Sequence, residues 1–105
     1  MLVNRYITRG IVNNLPINLQ HQLWRLVSER EQELNKDNTL VDYFHIFQFN
    51  THHNEIYVNH KQERPEYVKI HKANYSKDLN INKVYIIRED DVDLSYYVML
   101  LPEEY

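Results

Sequence analysis

Pro16-Ile17-Asn18-Leu19-Gln20-His21-Gln22-Leu23-Trp24-Arg25-Leu26-Val27-Ser28-Glu29-Arg30-Glu31-Gln32-Glu33-Leu34 is the stretch on which the fold turns. Leu19, Leu23, Leu26, Val27 and Leu34 recur at helical spacing and form a stripe about 100° wide, with Ile17 and Trp24 on its margin. The opposite side carries Asn18, Gln22, Arg25 and Glu29 and is expected to face water. Pro16 suits the first turn of a helix, where its missing N–H costs nothing, and Asn13-Asn14 offers capping side chains ahead of it. Asn35-Lys36-Asp37-Asn38 ends the helix, with Asn suited to a left-handed cap. A helix with one apolar stripe needs a surface to cover, and the rest of the chain must supply it.

Residues 4–11, β-branched and aromatic, predict a short strand before the helix. After Leu40 the period changes to two. Residues 41–49 predict an aromatic strand, 50–54 a turn and 55–59 an antiparallel return. Pro65 makes 62–66 a loop or an edge, 67–71 alternates as a short strand, and 74–82 reads as a polar connection. Residues 84–87 and 94–101 are strands apolar on both faces, separated by a turn at Glu89-Asp90-Asp91 and stopped by Pro102. The expectation is α+β, residues 1–105 forming a single domain. One amphipathic helix packs on a mostly antiparallel, curled sheet of about five to six strands. One helix covers one face of such a sheet. Tyr43, Phe47 and Phe49 alternate with Phe44 and Ile46, so the second face is apolar too, and either curling or a partner must cover it.

Composition narrows the function classes. The chain has 105 residues, enough for one modest core, and 43% hydrophobic with 26% charged residues is globular composition. There is no cysteine, which removes disulfides, thiol nucleophiles and thiolate metal sites and fits a reducing cytoplasm. Neither a leader-like segment nor an apolar run of about 18 residues is visible, so a cytoplasmic protein without membrane contact is expected. Gly10 is the only glycine, which rules out a phosphate-cradling loop and hands positive-φ turns to the twelve asparagines.

Candidate chemistry is sparse. His52, His53, His60 and His71 invite a metal, but no H-x₃-H spacing or paired carboxylate accompanies them, and exposed loop histidines with no metal are expected. His45, mid-strand among aromatics, reads as a half-buried core histidine. Ser28, Ser76 and Ser95 lack a nucleophile elbow, so no catalytic residue and no cofactor are assigned.

Charge offers more. The net charge is −3, yet residues 60–83 carry +3 and residues 84–105 carry −5, which points to a charged partner. Glu89, Asp90, Asp91, Asp93, Glu103 and Glu104 are the candidate contacts for a protein with a basic groove. The competing class is single-stranded nucleic acid, held by Lys61, Arg64, Tyr67, Lys69, Lys72, Tyr75 and Lys77 through phosphate contacts and stacking. A homodimer is compatible with either.

The opening Asn4-Arg5-Tyr6-Ile7-Thr8-Arg9-Gly10-Ile11 resembles that of domain-of-unknown-function family nine-sixty. Leu15-Pro16, Leu19-Gln20, Leu23-Trp24, Asp42-Tyr43, Ile46-Phe47, Gln62-Glu63 and Pro65-Glu66-Tyr67 continue the likeness. It closes on Met99-Leu100-Leu101-Pro102-Glu103-Glu104-Tyr105, and departs at His52-His53 and in the 72–82 connection. The resemblance implies a small protein of Gram-positive bacteria, their phages or cassette-type mobile elements, and it implies no activity. With the charge pattern, it leads to a non-enzymatic accessory factor that binds a protein, possible as an inhibitor of a host or element-encoded enzyme. Were the first and last strands neighbours, Arg5 and Arg9 would face the C-terminal glutamates at the sheet end.

Overall fold

A computed structural model describes residues 4–36, 43–64, 66–90 and 92–105. The order is β1 (Asn4–Ile7), α1 (Arg9–Asn14), α2 (Ile17–Lys36), β2 (Phe44–His52), β3 (Glu55–Glu63), β4 (Glu66–Lys72), β5 (Lys83–Asp90), β6 (Ser95–Leu100) and a 3₁₀ turn at Pro102–Glu104. The strands form one open six-stranded sheet in the order β1-β6-β5-β2-β3-β4. β1 runs parallel to β6, and the other pairings are antiparallel. This is the expected α+β architecture, with α2 laid across one face.

The leucine stripe behaves as its spacing predicts. Leu19 and Leu23 are fully buried and Leu26 and Val27 nearly so, in one cluster with Phe47, Val58, Val84, Ile86 and Met99 from the sheet, and Leu34 is buried as well. Two polar residues of α2 depart from the pattern. Gln22, expected in water, is buried because its Nε2 donates to the Lys72 carbonyl at 2.8 Å and its Oε1 accepts from the Asn74 N–H at 2.7 Å. Arg30 is buried with its Nε donating to Gln62 Oε1 at 2.7 Å and its guanidinium 3.7 Å over the Tyr67 ring.

The expected strand at 4–11 is half strand and half helix. β1 stops at Ile7, and Thr8 caps α1 by accepting from the Ile11 N–H at 3.4 Å. The reason lies at the far end of the chain. Glu104 accepts from Thr8 Oγ1 at 2.6 Å, the Gly10 N–H at 3.1 Å and the Leu101 N–H at 2.9 Å, tying the first turn of α1 to the 3₁₀ turn. A Cβ on Gly10 would lie 2.6 Å from Glu104 Oε1, so this position is glycine because a carboxylate occupies the space of a side chain. β1 and β6 are neighbours, but the arginine–glutamate pairing does not form. Arg5 lies 5.0 Å over the Trp24 ring and donates to Ser28 Oγ at 3.1 Å.

The β2–β3 turn contains His53 at φ 51° and Asn54 at φ 64°, the two positive values of a type I′ hairpin. Asn takes one of the left-handed positions, as the lack of glycine demands, and a histidine takes the other. β3 and β5 run longer than their apolar content suggested, because polar residues at their ends join the ladder: His60 and Gln62 are buried on the α2 side, while Lys61, Glu63, Lys83 and Glu89 lie on the outer face. The end of the helix stop (Asp37 and Asn38), residues 41–42 of the expected aromatic strand, Pro65 and Asp91 fall outside the described residues.

Candidate functional site

Register decides which side chains share the face opposite α2. Phe44 pairs with Ile87, Ile87 with Val98 and Val98 with Tyr6. In the next row, Leu100 pairs with Tyr85, Tyr85 with Ile46, Ile46 with Lys61 and Lys61 with Val68. Ile70 lies beyond, opposite Asn59. An apolar strip therefore crosses β1, β6, β5 and β2, β3 sets Lys61 and Asn59 in its path, and Val68 and Ile70 add aliphatic surface beyond them on β4; no helix lies over it among the described residues. The sheet stays open, and this face is most exposed at its edges, Tyr6 at 50%, Val68 at 58% and Ile70 at 64%, while Phe44, Ile46, Tyr85, Ile87 and Val98 are half-buried and Leu100 is buried. The C-terminal Tyr105 leans on the strip, its ring 5.7 Å from Phe44 and 5.9 Å from Tyr85. A groove of about 290 Å³ opens there, lined by Phe44, Ile46, Glu63, Arg64 and Tyr85.

The six candidate acids are not one surface. Glu89 is exposed on the open face, directly across from Tyr96. Asp90 is held by Arg88 Nε at 3.0 Å and Ser95 Oγ at 2.6 Å; the Ser95 hydrogen bond chiefly holds its carboxyl below the usual range. Asp91 lies outside the described residues, Asp93 is exposed in the following bend, and Glu103 is exposed in the 3₁₀ turn. Glu104, whose pKa is lowered chiefly by Thr8, is engaged in joining the chain ends. A wider groove of about 650 Å³ brings Glu103 near Gln48 and Lys83.

The basic segment is divided as well. Lys61 and Lys72 lie on the open face, Lys61 donating to Gln48 Oε1 at 3.1 Å and Lys72 to Glu55 Oε1 at 3.0 Å. Tyr67 and Lys69 point to the α2 side, where Arg30 stacks on Tyr67. Tyr75 packs against the core from the 74–82 connection, which also carries the exposed Lys77, and Arg64 sits in the β3–β4 turn. No single platform unites the seven residues.

The histidines separate into two groups. His52 and His53 are exposed at the hairpin tip with rings 4.1 Å apart, whereas His60 and His71 lie on β3 and β4. Sequence reasoning missed the polar chain under α2. His45 is fully buried rather than half-buried, with Nδ1 2.9 Å from His60 Nε2 and Nε2 3.3 Å from Glu31 Oε2. Glu31 Oε1 also accepts from the Tyr97 hydroxyl, whose pKa is raised by burial and then by that carboxylate. With Nε2–H of His45 donated to Glu31, its Nδ1 can accept from Nε2–H of His60. Burial, followed by the charges of His45, His71, Arg30 and Lys69, pushes the His60 pKa down to about 3. This chain binds helix to sheet and does not line either groove above. Its signal in the sequence was the mid-strand placement of His45 among aromatics; His60, expected among exposed loop histidines, is buried because β3 continues past residue 59.

Residues 4–104 match the family described as "Staphylococcal protein of unknown function (DUF960)", and the chain belongs to that family. It is similar in structure to a protein of unknown function from Enterococcus faecalis, with a TM-score of 0.74 and 20% sequence identity over 98% of this chain and 91% of that one. That likeness shows a shared fold. No curated protein matches.

Proposed function

We propose that this protein is a non-enzymatic binding factor that docks on a protein partner through the open face of its sheet. Occlusion of an enzyme from the host, a phage or a mobile element is the form of action we favour. The observation that supports it is the apolar strip from Tyr6 through Val98 and Ile87 to Phe44, which α2 does not cover, with Val68 and Ile70 exposed beyond Lys61 on the same face. Contiguous exposed apolar surface is costly in water and marks contact sites. Glu89 and Glu66 border the strip at its Phe44 end, so the matching partner has an apolar centre with a basic rim. The nucleic-acid reading has less support, because its aromatic and basic residues are distributed over two faces.

The test places a photocrosslinking residue at Tyr85 on the face, or at the exposed Arg25 on α2, in the native host. A protein captured from the Tyr85 position alone is then purified and its association measured. Ile46→Lys is expected to weaken it and Glu66→Lys with Glu89→Lys to slow it, with the melting temperature of the charge variant unchanged. Equal capture from both positions, or association indifferent to Ile46→Lys, overturns the reading. Mobility shift with a single-stranded oligonucleotide separates the alternative, since removing the two acids would then strengthen binding.

A further inference from the structure

We infer that the outer edge of β4 pairs antiparallel with β4 of a second copy of the chain, with Val68 opposite Ile70 and Glu66 opposite Lys72. The inference goes beyond the docking face and stands apart from it, because it concerns the backbone edge of the sheet.

The backbone polarity comes first. The Ala73 N–H donates to the Ile56 carbonyl at 2.9 Å, which continues the β3–β4 ladder and fixes its phase. By that phase Tyr67, Lys69 and His71 turn their N–H and C=O groups toward β3, and Glu66, Val68, Ile70 and Lys72 turn theirs outward. β4 ends the strand order, so those outward groups meet no further strand among the described residues. Gln22 satisfies one of them, the Lys72 carbonyl, and closes the edge at that end. What remains is a short template of donors and acceptors centred on Val68 and Ile70, both of them exposed aliphatics.

Side-chain pairing then selects register and partner. An antiparallel two-fold that keeps the open faces on one side pairs residues of equal parity. Centred on Lys69, it sets Val68 against Ile70 twice and Glu66 against Lys72 twice, so both aliphatics and both charges are matched. Shifting the centre to Val68 puts Glu66 opposite Ile70, and shifting it to Ile70 puts Lys72 opposite Val68 and runs into Gln22. On the α2 side the same register places Tyr67 of the second copy opposite His71, whose Nε2 is buried without a hydrogen-bond partner. Lys69 against its own copy is the one opposed pair. The dimer is therefore weak and concentration-dependent, and it joins two open faces into one continuous surface.

Sedimentation equilibrium on the full chain across the micromolar to millimolar range tests this. Monomer giving way to dimer is expected. Glu66→Lys alone and Lys72→Glu alone should each weaken the dimer about tenfold, and the double swap should restore it, because each dimer contains both pairs. Ile70→Pro should abolish the dimer without breaking the β3–β4 ladder, since it removes an outward N–H, and its melting curve checks the fold. Lys69→Thr should tighten the dimer. A monomer at every concentration overturns the inference. So does a dimer that ignores the charge swaps, whichever way Ile70→Pro behaves; and failure here leaves the Tyr85 crosslink and Ile46→Lys results unaffected.

Discussion

Lowering the pH from 7.5 to 5.0 should destabilise the fold chiefly through His60. In the unfolded chain this residue titrates with a pKa of 6.5, and in the fold its pKa is about 3, because burial and then the charges of His45, His71, Arg30 and Lys69 disfavour the imidazolium. A depressed histidine pKa means that the unfolded state binds the proton first. The stabilisation is therefore complete above the unfolded pKa and is lost as the pH falls from 6.5 toward 3. At pH 5.0 protonation favours the unfolded chain by about thirtyfold, or about 2 kcal/mol. His71, whose pKa is also lowered by burial, adds to the loss in the same direction. Glu55, Asp90 and Glu104 have lowered pKa values as well, but their stabilisation is lost only below the unfolded carboxylate range, which leaves pH 5.0 to the histidines.

Urea unfolding at both pH values, for the native chain and for His60→Gln, isolates the effect. Gln keeps an N–H donor for His45 but does not titrate. The variant is expected to be less stable at pH 7.5, and its further loss on acidification should be smaller than that of the native chain by about 2 kcal/mol. The comparison of two differences removes the cost of the substitution itself. An equal loss in both proteins would refute the reasoning, since the acid sensitivity would then come from groups other than the buried imidazole.

Leu23→Ala, at a fully buried position of the stripe, should cost about 2–5 kcal/mol in chemical denaturation, and an unchanged midpoint would contradict the packing of α2 on the sheet. Glu104→Gln should cost about 1 kcal/mol by weakening a helix cap, and Gly10→Ala should do the same by displacing the carboxylate that its Cβ would meet. The double variant should be no worse than the worse single one, and additive losses would show that the two residues act separately.

Much of the fold was legible because α2 obeys a period. Leu19, Leu23, Leu26, Val27 and Leu34 need no tertiary information to declare a face, and the sheet residues from Phe44 onward declare two. The apolar doubling of β2, β5 and β6 foretold a second apolar face beyond the reach of a single helix, and it left open whether curling or a partner covers that face. Gln22 and Arg30 were not legible. A buried amide or guanidinium on a helix looks like any wet residue until the carbonyl of Lys72 or the amide of Gln62 appears beside it. The buried chain of Glu31, His45, His60 and Tyr97 is unreadable for the same reason, since its members come from α2, β2, β3 and β6 and share no spacing.

The start of α1 shows most clearly where a one-dimensional reading stops. A helix that begins at a threonine is recognised by a glutamate three residues on, which reaches back to the free amides of the first turn. Here that third position is Ile11, part of the core, and Thr8-Arg9-Gly10-Ile11 therefore reads as the continuation of a strand. The carboxylate that does the capping is Glu104, 96 residues from Thr8, and it arrives only because β1 lies parallel to β6 and the chain turns at Pro102. The same contact explains why the chain's only glycine stands at position 10, and why an acid counted toward a docking surface is drawn inward to join the two ends of the molecule. Of the acids at the end of the chain, the docking reading therefore depends on those that register leaves on the open face, with Glu89 beside Tyr96 foremost among them.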